Sequence, residues 1–400
     1  MADWIEKTLG EVTSFIAKGI PPKYTEEESK DTIRVLNQKC NRNFEILYSE
    51  SRIHDCAQKK VPADKMLKVG DVLINSTGTG TAGRVAQMME VTAPTTIDGH
   101  MILLRPSEEL DPIYYGYALK SHHSQIEGLA EGSTGQTEIN RRRLQDEVII
   151  CYPSDKSIQK KIGNFLENID EKIKTNTAIN ENLLEQAQTI YHEMFVKTLN
   201  DKRLTCRADE YFDIAIGKTP PRKEHKWFTN NQSDVTWVSI SDMGSCGTYI
   251  SRSSEQLTQE AIDKFNIKVI PDNTILLSFK LTVGRIAITH GKMTSNEAIA
   301  HFKTDKPFIN EYLYCYLKDF NYQTMGSTSS IATAVNSKII KAMPFVIPAD
   351  DEISHFHSIV GPMFEQILNK QLENDSLVEI RDALLPRLMT GEIDVSYLDL

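Results

Sequence analysis

No stretch of this 400-residue chain approaches the roughly 18–20 consecutive apolar residues that cross a bilayer, so a helical membrane span is excluded. Its six cysteines (Cys40, Cys56, Cys151, Cys206, Cys246 and Cys315) form no CxxC pair and no regular spacing. That rules against a zinc ribbon or a disulfide frame and predicts reduced thiols of a cytoplasmic protein, as does the lack of a basic-then-apolar leader in Met1–Lys7. The chain also lacks G-x-S-x-G, H-E-x-x-H and G-x-x-x-x-G-K-[ST]; Gly217-Lys218-Thr219 is a near miss without its upstream glycine. It lacks a positive balance too, with net charge −10. That average hides an uneven spread: −4 over residues 1–153, −1 over 154–200, +3 over 201–348 and −8 over 349–400. Nucleic-acid binding needs a local basic face rather than a basic protein, so the composition permits it.

What the chain has is a repeat. Gly70–Ala86 (GDVLINSTGTGTAGRVA) is answered by Asp272–Ala287 (DNTILLSFKLTVGRIA), Gly132-Ser133-Thr134 by Gly326-Ser327-Thr328, and Asn140 by Asn336. Each copy is a mixed stretch followed by a long amphipathic helix, and a period of about 195 residues is a domain duplication rather than a solenoid. The expected fold is α+β: two duplicated mixed α/β domains, residues 1–153 and 201–348, with long helices in 154–200 and 349–400. Strands are expected at Thr32–Leu36, Asp71–Asn75, Arg84–Met88, Met101–Leu104 and Val148–Tyr152, and a helix at Pro112–Ser121. The second copy repeats the order at Val235–Ile240, Thr274–Ser278, Arg285–Thr289 and Ala298–Lys303, with a helix near Asn310–Lys318.

The first long helix places Ile158, Ile162, Phe165, Ile169, Ile173, Leu183, Ala187, Ile190 and Met194 on one seam, with Ser154 or Asp155 as N-cap. The second places Ile353, Phe356, Val360, Met363, Ile367, Leu377, Leu384 and Leu388 on another; Gly361-Pro362 should kink it and Pro386 should end its regular part. Stripes of roughly 60 Å, at about 1.5 Å per residue, outrun a domain of this size and predict an intramolecular antiparallel coiled coil. The middle of each seam is polar, with Asn176, Asn180, Lys370 and Asn374. Asn180 and Asn374 occupy the same place in the repeat, so they are expected to meet near a pseudo-twofold axis and set the register.

Three segments imitate catalytic motifs. Gly78–Gly83 fits GxGxxG, but no helix is expected to open at its third glycine, as a dinucleotide site requires. Ile20–Tyr24 and Thr219–Arg222 carry Pro-Pro pairs like the loop of DNA amino-methyltransferases, yet lack the polar acceptor before the prolines. Pro271-Asp272 with Ser278–Lys280 resembles a metal nuclease signature without its second carboxylate, leaving a divalent ion too few hard ligands. No catalytic residue and no metal ligand is assigned.

The loops are instead rich in groups that bind phosphates and base edges. In the first unit the DNA-binding candidates are Lys23, Tyr24, Asn37, Gln38, Arg42, Asn43, Thr77, Thr79, Arg84 and Gln136, with Arg34 beside them. In the second they are Lys218, Arg222, Lys223, Ser239, Ser241, Lys280, Arg285 and Ser329, with Lys226 and Trp227. Arg84 and Arg285 stand out because both copies keep Gly-Arg after the strand and turn; a structural salt bridge is the competing explanation. Arg141-Arg142-Arg143 reads as a charged turn or a phosphate contact.

Taken together, Gly70–Gly78 (GDVLINSTG), Ile158–Ile162 (IQKKI), Asn180–Ile190 (NENLLEQAQTI) and Leu384–Ile393 (LLPRLMTGEI) make the whole chain resemble a type I restriction–modification specificity (S) subunit. The resemblance implies a non-catalytic protein with two target-recognition domains on a helical spacer, each reading half of a bipartite, asymmetric double-stranded DNA site. It implies docking of two modification (methyltransferase) subunits, with restriction (motor–nuclease) subunits adding cleavage. No cofactor is expected in this chain: S-adenosylmethionine, ATP and Mg would belong to the partners. Two alternatives stay open on the residues alone: a stand-alone DNA adenine methyltransferase or nuclease, and a coiled-coil protein-binding scaffold.

Overall fold

The structure is a computed structural model and describes residues 3–132, 137–197, 203–325 and 335–395. The chain forms two compact units, residues 1–172 with 376–400 and residues 173–375.

In the first unit Val72–Asn75 is wholly buried, and its apolar, β-rich sequence suits a strand covered on both faces. It lies between Met101–Pro106 and Val85–Gln87 in an antiparallel sheet that Thr13–Lys18 completes. A second sheet runs Thr95–Ile97, Thr32–Leu36, Arg52–Asp55, Tyr24–Thr25, its first pair parallel. Trp4–Thr8 pairs with Ile149–Pro153. The second unit repeats this order. Asp213–Ile216, Ile299–Lys303, Ile275–Ser278 and Ile286–Thr289 run in its large sheet, which adds a fifth strand, Tyr249–Ile250, parallel to the last. Met293–Ser295, Val235–Val238, Glu255–Leu257 and Phe228–Thr229 form the smaller one, again with its first pair parallel. Thr205–Arg207 pairs with Pro344–Val346. The expected strands are therefore present, Thr32–Leu36 with the bounds expected and the others shifted at one or both ends by one or two residues, and the helices are Pro112–Ser121 and Asn310–Asp319.

The repeated motifs are scaffold devices. Asn140 Oδ1 accepts the amides of Arg142 and Arg143 at 3.0 and 3.4 Å, and Asn336 Oδ1 those of Lys338 and Ile339 at 2.9 and 3.1 Å. Both are N-caps, and the three arginines thus open a helix, Arg141–Glu147, rather than a turn. Gly83 and Gly284 both sit at positive φ, 88° and 90°, where each turns the chain into the next strand. Ser133-Thr134 and Gly326-Ser327-Thr328 lie outside the described residues.

The long helices are Lys156–Tyr191, continued by a π-turn at His192–Val196, and Asp350–Met389. Asp155 is the N-cap of the first, its Oδ1 2.8 Å from the Ser157 amide. Gly361-Pro362 does not interrupt the second helix. The residue before a proline clashes through its Cβ, and glycine has none. Nor does Pro386 end it: the Pro386 carbonyl still accepts the Thr390 amide at 3.1 Å, and the helix runs on to Met389. The seams are buried as expected at Ile162, Ile169, Ala187, Ile353, Phe356, Val360, Ile367 and Leu388 and shift by one residue elsewhere. Leu166, Tyr191, Phe195, Phe364 and Leu385 are the buried residues where Phe165, Ile190, Met194, Met363 and Leu384 were expected, and those five are only partly covered. The spacing of four from Tyr191 to Phe195 follows the looser π-turn.

Within each unit the two helices pair antiparallel. In the first, Ile162 and Leu166 share a core with Leu385, Leu388 and Met389, and Asp170 meets Arg381 at 2.6 Å. The buried Gln159 fixes the helix start: its Oε1 accepts the Asp111 amide at 2.7 Å, and its Nε2 donates to the Glu109 and Pro153 carbonyls. In the second, Tyr191, Phe195, Phe356 and Phe364 join Tyr312 and Phe345 in one aromatic-rich core. Each such ring contributes roughly 1.5–3 kcal/mol by burial. Asn176 is 0% exposed; its Nδ2 donates to Glu373 Oε2 and Asn374 Oδ1, both at 2.9 Å, and its Oδ1 accepts from Lys370 Nζ at 3.1 Å. Asn374 thus meets Asn176 and not Asn180, a one-turn offset that gives the half-buried Lys370 ammonium a partner. Asn180 Nδ2 instead donates to the Ile367 carbonyl at 3.3 Å.

Candidate nucleic-acid interface

In the first unit the Gly-rich segment is a turn. Gly78, Gly80 and Gly83 have φ of 109°, 71° and 88°, and the strand Val85–Gln87 follows; a pyrophosphate cradle needs a helix N-terminus there. Gln38 Nε2 donates to the Thr77 carbonyl and hydroxyl, both at 2.5 Å, and Thr77 Oγ1 lies 2.9 Å from His100 Nδ1. Asn37 accepts the Lys39 amide and donates to the Glu50 carbonyl. The buried Asn41 donates to the Leu73 and Arg84 carbonyls, tying the hairpin Asn41–Arg42/Glu45–Ile46 to the sheet. Asn43 and Phe44, at φ 53° and 65°, make its mirror-type turn and leave Arg42 and Asn43 exposed. Arg84 folds back onto the Gly80 carbonyl at 3.1 Å, while Thr79 stays exposed at the tip.

The first Pro-Pro loop lies on the sheet edge. The Ile20 amide donates to Ile97 O at 2.9 Å, and a Cβ on Gly19 would strike the Ile97 and Asp98 carbonyls. Lys23 is exposed, and the Arg52 guanidinium covers the Tyr24 ring 3.5 Å from its centre. Burial first, and the Asp98 carboxylate second, push the Tyr24 phenol above its ordinary range. Arg34 is paired with Glu28.

The second unit uses the same frame with other side chains. A Cβ on Gly217 would strike Ser295 and the Asn296 carbonyl, the counterpart of Gly19. Lys218 Nζ donates to the Phe265 carbonyl at 2.6 Å. Arg222 spans both Glu255 carboxylate oxygens at 2.7 and 2.8 Å and lies over the Phe228 ring at 4.0 Å, as Arg52 lies over Tyr24. Ser239 donates its hydroxyl to Asp242 at 2.6 Å, and Arg285 Nη1 donates to the Ile240 carbonyl at 2.5 Å. Neither Arg84 nor Arg285 makes an ion pair among the described residues; both are held by backbone carbonyls. Lys223, Ser241 and Lys280 are exposed, Lys226 lies 4.2 Å over Trp227, and Trp227 is fully buried. Asp272 accepts the Gly291 amide at 2.7 Å, a turn contact. Gln136 and Ser329 lie outside the described residues.

Arg52, His100 and Glu255 were not singled out from sequence. The side chains they meet, Tyr24, Thr77 and Arg222, lie tens of residues away, and no local spacing marks them. The six thiols are unpaired, and burial pushes those of Cys40 and Cys246 up to about 11. No helix among the described residues is long and apolar enough to cross a membrane, and no three His, Cys, Asp or Glu residues among them converge as a metal site.

A family model described as type I restriction modification DNA specificity domain matches residues 1–185 and 205–374. The chain is 23% identical to the type I restriction enzyme HindI specificity subunit of Haemophilus influenzae, over 98% of this chain and 100% of that one. It is 25% identical to the MjaIX specificity subunit of Methanocaldococcus jannaschii, over 99% and 95%. The crystal structure of the type I restriction–modification S subunit from M. genitalium shares its fold, with TM-score 0.57, 18% identity and coverage of 97% and 96%. Two copies of one recognition frame, each joined to a long helix, match that family along nearly the whole chain: this protein belongs to the type I restriction–modification DNA specificity subunits.

Proposed function

We propose that each unit reads one half of a bipartite, asymmetric DNA site and that the paired helices fix the spacing between the halves. The recognition domains are assigned to residues 1–153 and 201–348, the spacer helices to 154–200 and 349–400, and Asn176, Asn180 and Asn374 to register. The helices dock two modification subunits, which bring S-adenosylmethionine; restriction subunits bring ATP- and Mg-dependent cleavage. The chain itself is non-catalytic and works in the cytoplasm. Base and phosphate contacts are assigned to the exposed members of the candidate set, chiefly Lys23, Arg42, Asn43 and Thr79 in the first unit and Lys223, Ser241 and Lys280 in the second.

One observation carries this reading: the strand order, the Gly-Arg turns and the Asn caps are common to both units, while the loops around them differ. A common frame with divergent loops suits two different half-sites. The test is to purify the complex formed with the modification subunits and map adenine methylation on DNA. Replacing Arg42 and Asn43 with alanine should alter one half of the recognised site and leave the other intact. A continuous site, methylation without this chain, or methyl transfer by this chain alone would each refute it.

A further inference from the structure

The segment 279–283 joins the buried strand Ile275–Ser278 to Ile286–Thr289. It is pinned on both sides. Phe279 is buried, and its amide donates to the Ala298 carbonyl at 2.9 Å. The Ser278 hydroxyl donates to the Thr282 carbonyl at 2.6 Å and accepts the Arg285 amide at 3.0 Å. Between these pins the Thr282 amide bonds back to the Lys280 carbonyl at 2.7 Å with Leu281 at φ 62°. This is a γ-turn of the rare, strained hand, centred on a residue whose Cβ opposes that conformation. Leu281 is 94% exposed.

The other copy shows what the frame requires. Three residues before the shared glycine, Gly284, stands Leu281; three before Gly83 stands Gly80, at φ 71°, where a Cβ would meet nothing within 4 Å. The first unit fills the left-handed position with the residue that suits it. The second holds a large apolar side chain there, in solvent, on a rigid turn, beside the exposed Lys280 and Val283. Neither packing nor backbone preference accounts for it, and strain kept at an exposed site points to recognition.

We infer that Leu281 is a specificity-determining residue of the second unit, its side chain meeting the 5-methyl group of a thymine in the major groove. This rests on the DNA-reading role proposed above. A leucine offers no hydrogen bond, and the thymine methyl is the apolar feature of a base-pair edge. The neighbouring Lys280 supplies charge for an adjacent phosphate.

The test uses the complete methyltransferase complex on its mapped site, with each thymine of both half-sites replaced in turn by uracil, which lacks only the methyl. At one position of one half-site the wild-type complex should bind roughly 3- to 10-fold more weakly without the methyl. L281A and L281G should lose that difference while responses in the other half-site stay unchanged. L281G suits the turn, so an unchanged or raised melting temperature separates lost contact from lost fold. The inference is overturned if no methyl matters at the wild-type site or if L281G keeps the full difference. It is also overturned if Leu281 variants change DNA bending without any methyl dependence, the mark of an intercalated wedge. A wild-type complex with no sequence preference at all would instead remove the DNA-reading role, before any Leu281 variant is made.

Discussion

Asp170 is where a single substitution should unfasten the helix pair of the first unit. Its carboxylate accepts from Tyr117 Oη at 2.7 Å, Lys120 Nζ at 2.9 Å and Arg381 Nη1 at 2.6 Å. The side chains of Lys120 and Arg381 are 9% and 15% exposed, that of Asp170 30%. Burial alone would raise the Asp170 carboxyl, but Lys120, Arg381 and Tyr117 outweigh it and hold it below the usual carboxylate range. Lys120 moves the less favourable way: burial first, and repulsion from Arg381 among the rest, lower its affinity for its proton despite Asp170. One carboxylate facing two cations explains both directions. D170N leaves Lys120 and Arg381 with only the exposed Asp382 carboxylate, 2.8 Å from Arg381, as counter-charge. Breaking a buried pair from one side costs roughly 3–5 kcal/mol, and the partial exposure of Asp170 reduces that to about 2–4 kcal/mol. Peptide-resolved hydrogen exchange over residues 156–172 and 376–389 follows this unit separately and should read that loss at neutral pH. A folded carboxyl held below 3.8 stabilises fully above that pH and loses the contribution as pH falls through its folded value. The gap between wild type and D170N should therefore narrow in acid. The reasoning fails if D170N costs under about 1 kcal/mol at neutral pH, or if the gap widens on acidification.

Replacing Asn176 and Asn374 together with leucine removes the polar pair formed by the buried Asn176 and the half-buried Asn374 at the second unit's helix contact; light scattering and cross-linking should then find additional registers or oligomers, and a single unchanged species would refute a register role. Inserting four residues before Asn176 adds one turn, about 6 Å, to the first helix, and methylation mapping should show a changed spacer between unchanged half-sites. His301 is buried beside Ser295 Oγ at 2.6 Å, and burial drops its pKa to about 3 from 6.5. Its neutral form therefore stabilises fully above 6.5, and that contribution is lost as pH falls toward 3. H301Q should flatten the stability profile in that window by up to about 1.4 kcal/mol per pH unit, measured by denaturant titration; equal slopes would exclude it.

The frame was legible in the sequence because its signals are local. Buried strands announce themselves as β-branched and leucine runs, and Asn140 and Asn336 as caps, within a few residues. Helix seams were legible at Ile162, Ile169, Ala187, Phe356, Val360 and Ile367, which are buried as expected, but ran one residue out of phase elsewhere, and no residue spacing marks the π-turn at His192–Val196. The expected pairing of Asn180 with Asn374 failed by one turn, since register between distant helices follows from every contact at once. At the loops, residue type said which side chains suit DNA but not which are already occupied. Arg222 belongs to Glu255, Gln38 to Thr77 and Arg285 to Ile240. Leu281 was hidden for the opposite reason: between Lys280 and Thr282 it reads as an ordinary apolar strand residue.

The division of the chain also bears on the order of its synthesis. Residues 173–375 form one compact unit without interruption, whereas residues 1–172 are complete only with 376–400. Nascent domains ordinarily fold in the order in which they emerge. Here the first half leaves the ribosome with Ile162, Leu166 and Asp170 awaiting Leu385, Leu388 and Arg381, which come last. The second unit can close first, and the earlier-made half remains unfinished until the final helix turns arrive. Damage late in the reading frame would accordingly fall on the domain made first.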